Sequence, residues 1–286
     1  MGFLKKFTKQ EISWMMYDWA NSAHSVIIVT LLPIFFDTVA GYTADSVSSM
    51  STWGYATSIA MLIVALAAPF LGVFGDIRGM RKKLFSFFML LGVAACAGMA
   101  FTPGMDFTSG PVAAGKVASL ILVLYIVSVI GFDASAIYYD AFLTDVTTED
   151  RMDKVSTMGY GLGYIGGSTI PLLIFLIMNL VGVPMLTCLA FVFGLTAVWW
   201  LAFSLPLLKN CEQTSGKPYE KGDVARNIKG VGTTIKEIIA NKPMLIYILS
   251  YFFYIDGVHT VISMATTYGT NLGLDSTGMM LALLLV

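Results

Sequence analysis

Runs such as MLIVALAAPFLGVF (61–74) and SLILVLYIVSVIGF (119–132) constrain this chain more than any other feature. A hydrocarbon layer about 30 Å thick is crossed by roughly 20 apolar residues in a helix. Inside it every backbone N–H and C=O must be satisfied by an α-helix or a closed barrel. Barrel strands alternate polarity residue by residue, and these runs do not alternate. They predict an all-α polytopic membrane bundle. Composition agrees: 57% of the 286 residues are hydrophobic and 12% charged, where a soluble domain has about 45–50% and about 25%. Spans are expected near 12–37, 51–75, 83–103, 116–141, 157–179, 183–208 and 243–269, with an eighth beginning near 276. The closing MMLALLLV is apolar to its last residue, which predicts that this span continues past Val286 in a longer chain.

Sixteen of the 17 Lys and Arg residues fall in the leader, in connections two and four, and between Lys209 and Lys242; Lys116 is the exception. Because positive residues stay on the cytoplasmic side, the N-terminus is predicted to be cytoplasmic. No small-residue cleavage site follows the leader, so the first span is expected to remain. A net charge of -1 gives no reason to expect a nucleic-acid partner. Cys96, Cys188 and Cys211 have neither metal spacing nor a paired framework; they read as reduced and structural, and neither metal nor cofactor is predicted. Residues 1–208 read as a six-span half, 209–242 as a cytoplasmic connection and 243–286 as the start of a second half. In the connection, Val224, Ile228, Val231, Ile235 and Ile238 recur at helical spacing, which predicts an amphipathic helix on the membrane face. Gly230 and Gly232 work against that helix.

Ionisable residues inside spans are the functional candidates, since an Asp at a helix centre costs about 2.5–3.5 kcal/mol on insertion scales. Span one carries Asp18, Asn21, Ser22 and Ser25 on one face, with His24 beside them. Span four carries Asp133, Tyr138, Tyr139 and Asp140; span seven carries Asp256 and His259, three apart. The alternative for each is a hydrogen bond that only joins helices. Tyr17, Asp18 and His24 loosely parallel Tyr254, Asp256 and His259, as in two parallel half-repeats with a midplane site between them. No Lys or Arg lies deep in a span, which favours neutral, zwitterionic or cationic solutes. Gly159, Gly163 and Gly167 give span five a smooth packing face. In GVFGDIRGMRKK (72–83), Gly72 and Gly79 are expected to admit close helix approach, and Asp76 to cap a helix or pair with an Arg.

Gly72, Asp76, Gly79 and Arg81 match the GxxxDRxGRR signature of the major facilitator superfamily, with Ile77 and Met80 replacing two of its basic residues. More narrowly, YDWANSAH (17–24), GDIRGMRKK (75–83), the stretch 138–167 and YFFYIDGVHT (251–260) resemble the vacuole effluxer family of that superfamily. The yeast member of that family is an autophagy-related amino-acid exporter. The resemblance implies a major facilitator-type bundle of twelve spans in two halves rocking about a central site, in a protein that works as a monomer. It implies a secondary transporter of small solutes, amino acids or peptides among them; the midspan carboxylates and the half-repeat suggest coupling to protons through Asp18, Asp133 or Asp256. Tyr139 and the histidines would share the site, and Gly72, Asp76, Gly79, Arg81, Asp145 and Arg151 would form the gate. Span five has Gly163-Tyr164 where antiporter motifs have Gly-Pro, which leaves coupling direction open. A bacterial-type plasma membrane is the expected location. The competing readings are a seven-to-eight-span receptor or sensor, a non-functional transporter fragment, and a membrane-embedded enzyme.

Overall fold

A computed structural model describes residues 6–43, 49–216, 218, 220, 222–275, 278, 279 and 282. Ten α-helices lie among them: α1 (Lys9–Thr30), α2 (Leu32–Ala40), α3 (Ser49–Gly75), α4 (Arg81–Met99), α5 (Pro111–Val146), α6 (Met152–Leu162), α7 (Thr169–Leu180), α8 (Met185–Asn210), α9 (Asp223–Ala240) and α10 (Lys242–Asn271). Nine of them, all but α9, form seven segments long and apolar enough to cross a membrane, because α1 with α2, and α6 with α7, each make one span. The expected eighth span lies largely outside the described residues.

Local chemistry sets most boundaries. Thr8 caps α1 through a capping box, its Oγ1 accepting from the Glu11 N–H at 3.1 Å while the Glu11 carboxylate accepts from the Thr8 N–H at 2.7 Å. Span one breaks at Leu31, and Pro33 opens α2, where its missing N–H costs nothing. Span five is interrupted by a π-helical turn, Gly163–Ser168, a type of irregularity that recurs at functional sites. Gly230 and Gly232 do not interrupt α9, whose apolar residues keep their helical spacing.

Each half of the packing has its own backbone contact. α4 and α5 touch where Gly92 faces Gly131; a Cβ on Gly131 would come within 2.7 Å of the Gly92 Cα and 2.8 Å of the Phe88 carbonyl. α5 is also joined to α3, through Tyr125 and Thr57 hydroxyls 3.0 Å apart and through Tyr138 Oη donating to the Leu71 carbonyl at 3.0 Å. α1 packs against α8 and against span five. Buried apolar residues fall into two groups, one around Phe35, Phe193 and Trp53, the other around Trp14, Tyr17, Phe85 and Trp200. The second group lies toward the end of the bundle that carries Arg81, Lys82, Arg151 and Lys154, called the basic end below.

The expectation for the glycines of the signature turn needs correction. Gly72 and Gly79 have no neighbour within 4 Å of a Cβ position, so neither supports a close approach; Gly79 is instead required by its φ of +82°. Gly75 is where the helices close up, since its Cβ would stand 2.9 Å from the Tyr138 ring.

Candidate functional site

Asp18 sits nine residues into α1, about 14 Å from its start at 1.5 Å per residue, and is 8% exposed. Tyr139 of α5 donates its hydroxyl to Asp18 Oδ2 at 2.8 Å. That tyrosine is fixed twice by Trp14, which stacks on its ring (4.3 Å, 14°) and donates its indole N–H to the Tyr139 carbonyl at 2.9 Å. Tyr17 leans on the same ring at 4.8 Å, shares a 2.8 Å hydrogen bond with Ser135 Oγ, and accepts from the Trp200 indole at 3.4 Å. The phenol is thus held by packing as well as by its partner. Among the described residues Asp18 has no cationic partner.

Span five closes this site because it has no side chains there. A Cβ on Gly159 would overlap Asp18 Oδ2, and one on Gly163 would come within 2.6 Å of Ser22 Oγ. A Cβ on Gly166 would fall inside the Trp19 ring, and one on Gly167 would meet the Trp19 carbonyl at 2.5 Å. Three of these four glycines belong to the π-helical turn.

The other expected residues distribute as follows. Asn21 is buried beside Asp18 on α1, whereas Ser25 of the same predicted face is exposed. His24 is 3% exposed and lies between the rings of Phe132 (4.9 Å) and Trp200 (5.0 Å), with neither nitrogen hydrogen-bonded. Asp133 is half-buried on α5, and Asp140 is exposed near its end. Asp256 and His259 line a cleft of about 650 Å³ between α10 and α3, together with Tyr55, Ser58, Thr260 and Ser263. Asp18 does not line it, so the candidates form two groups rather than one.

The expected gate also divides in two. Arg81, 4% exposed, pairs through Nη1 with Asp145, donates to the Ala141 carbonyl at 2.9 Å and stands 3.8 Å from Asp76, whose side chain is largely exposed. Arg151 does not join this pair. It grips Glu11 bidentately, Nε and Nη2 each 2.8 Å from a carboxylate oxygen, while Thr147 Oγ1 donates to Glu11 Oε1 at 2.7 Å and Nη2 also reaches the Lys6 carbonyl at 3.1 Å. Glu11 therefore ties the start of span one to the connection between spans four and five. Sequence reasoning missed it; its one signal, Thr8 followed three residues later by Glu11, reads as a capping box and stops there.

These elements meet in a chain whose residues 41–286 match the family described as vacuole effluxer Atg22 like. The chain belongs to that family. It is 40% identical over 288 aligned positions to YxiO of Bacillus subtilis (strain 168), described as an uncharacterized MFS-type transporter, covering 98% of this chain and 64% of that one. It is 26% identical over 131 positions to autophagy-related protein 22-1 of Sclerotinia sclerotiorum (strain ATCC 18683 / 1980 / Ss-1), covering 40% of this chain and 22% of that one. The chain thus spans about two-thirds or less of the curated relatives it matches. The family match begins after Asp18, at residue 41.

Proposed function

We propose that this chain works within a secondary transporter of the major facilitator type that moves a small zwitterionic or cationic solute, amino acids being the leading class, with Asp18 as the proton-coupling carboxylate. The observation that carries the reading is Asp18 itself: a buried carboxylate nine residues into a 32-residue membrane span, bound to one phenol and to no cation among the described residues. A charge so placed is costly and marks ion pathways and proton relays. The other ionisable groups facing it are Tyr17, Tyr139 and Asp140, with Tyr160 of α6 nearby. None is cationic, so a proton or an ammonium group is the natural counter-charge. Asp133 and the Asp256–His259 cleft are the remaining candidates, the latter as part of the solute path. The basic end faces the cytoplasm by the distribution of Lys and Arg, and Arg81–Asp145 and Glu11–Arg151 act as its gate.

The test is flux of radiolabelled amino acids into vesicles bearing the intact protein, driven by an imposed pH gradient. Asp18→Asn is expected to abolish gradient-driven accumulation while sparing exchange of labelled for unlabelled solute. Unchanged accumulation with an unchanged pH profile would remove Asp18 from the coupling role.

A further inference from the structure

From the last residue of α8 onward the chain is polar, and residues 210–216 lie across the basic ends of four helices in fixed contact. Asn210 Nδ2 donates to Ser13 Oγ of α1 at 2.9 Å, and the buried Cys211 Sγ reaches the Gln10 carbonyl at 3.6 Å. Lys82 Nζ of α4 donates to the Cys211 carbonyl at 3.0 Å. Asp145, at the end of α5, gives one oxygen to Arg81 and the other to this segment, accepting from Thr214 N (3.1 Å), Thr214 Oγ1 (2.9 Å) and Ser215 N (2.8 Å). Arg81 Nη1 adds a 3.1 Å bond to Ser215 Oγ.

Gln213 makes the most informative contact. Helix ends leave backbone groups without intrahelical partners, and the signature turn between α3 and α4 has two such ends within five residues. The Gln213 carboxamide serves both. Its oxygen accepts from the Gly79 N–H at 2.8 Å and the Arg81 N–H at 3.3 Å, and its nitrogen donates to the Gly75 carbonyl at 3.0 Å. Two donors on one atom and a carbonyl on the other fix which way the amide points. One side chain from the connection therefore closes the turn that carries Asp76, with Arg81 immediately after it.

We propose that residues 210–216 are a strap with Gln213 as its positioning residue: docked, it holds the signature turn and the Arg81–Asp145 pair in one arrangement, and opening the bundle at its basic end requires its release. The inference rests on the alternating-access part of the proposed function and is independent of solute and proton coupling. The strap precedes α9 and α10 in the chain, so it is the covalent route by which movement of those helices relative to α1–α8 would reach the gate. The same seven residues thus tie the position of α10 to the geometry of the gate.

Cys211 is a built-in reporter. Burial pushes its thiol up to about 12, so it reacts slowly while docked and quickly when exposed, since the thiolate is the nucleophile. In the intact protein carrying Cys96→Ala and Cys188→Ala, Gln213→Ala should raise the rate of Cys211 alkylation by a membrane-impermeant maleimide about tenfold, the factor that corresponds to 1.4 kcal/mol. Gln213→Glu, which keeps the acceptor for both N–H groups, should restore most of the protection. A second reporter, Tyr160→Cys with Cys211→Ser, sits on the exposed side of α6; from the basic-end side its labelling should rise with Gln213→Ala as it does with Asp145→Asn. Unchanged Cys211 protection in Gln213→Ala overturns the strap. Release of Cys211 with no change at Tyr160→Cys, where Asp145→Asn does change it, overturns the positioning role. No response at Tyr160→Cys to either variant overturns instead the alternating-access reading on which the inference rests.

Discussion

The seam between span one and span five and the cleft between α3 and α10 carry similar residues in opposite surroundings. At the seam, Asp18 lies under Tyr139 and Trp14, with a glycine where any side chain would overlap its carboxylate. At the cleft, Asp256 and His259 face an open space lined by a few hydroxyls and by apolar residues such as Met61, Leu62 and Phe252, and a Cβ on neighbouring Gly257 would meet nothing within 4 Å. Within this chain, which covers 64% of the length of YxiO, the loose parallel between Tyr17-Asp18 and Tyr254-Asp256 does not extend to packing. Tyr17 is fully buried whereas Tyr254 is 68% exposed. The lesson is that polar residues in a membrane helix acquire a fixed geometry only where a second helix comes close enough, and here small residues on span five allow it.

Paired substitutions can break that contrast. The largest effect is expected at Gly166, whose Cβ would enter the Trp19 ring: Gly166→Leu should destabilise by about 3 kcal/mol, the upper part of the usual overpacking range, whereas Gly257→Leu should leave thermal unfolding in detergent nearly unchanged. Equal losses at both would show that the cleft is packed as tightly as the seam. Next comes the phenol: Tyr139→Phe should cost about 1–2 kcal/mol, as expected for a lost hydrogen bond to a buried carboxyl group, and should shift the pH profile of flux. Tyr254→Phe should do neither. The smallest effect is Asp256→Asn, expected to change stability by no more than about 0.5 kcal/mol because the side chain is not in a packed site. A larger loss of stability there would mean that Asp256 holds the bundle together, and would weaken its assignment to the solute path.

The spans could be read from sequence because each is a long apolar run, and the structure lengthens most of them, while the sixth keeps its length and shifts by two residues to Met185–Asn210. α1 to α2 runs from Lys9 to Ala40 where 12–37 was expected, and α5 from Pro111 to Val146 where 116–141 was expected. The addition at Lys9–Glu11 is a capped polar turn, which a hydropathy argument cannot count. The midspan carboxylates were equally visible, since few residues are as costly there as Asp. Their partners were not: the Tyr139–Asp18 bond joins residues 121 positions apart, and the Gln213–Gly79 bond joins residues 134 apart. Periodicity along one helix carries no information about such pairs. Gly72 shows the opposite failure, a motif position credited with a close contact that the fold assigns to Gly75.

α5 is 36 residues long, about 54 Å at 1.5 Å per residue, against a hydrocarbon layer of about 30 Å. Tilt alone cannot absorb that excess, since membrane helices incline by about 20° on average. A substantial part of the rod therefore stands among the lipid headgroups or beyond them. Asp145, one residue from its end, falls in that zone, where a charge is cheap, while Asp133, thirteen residues from the end, lies about 20 Å along the axis. Bilayer thickness thereby becomes a variable of the protein: in lipids with longer acyl chains the boundary moves along α5 toward its basic end, and Asp133 sits deeper in the hydrocarbon with no change in the fold.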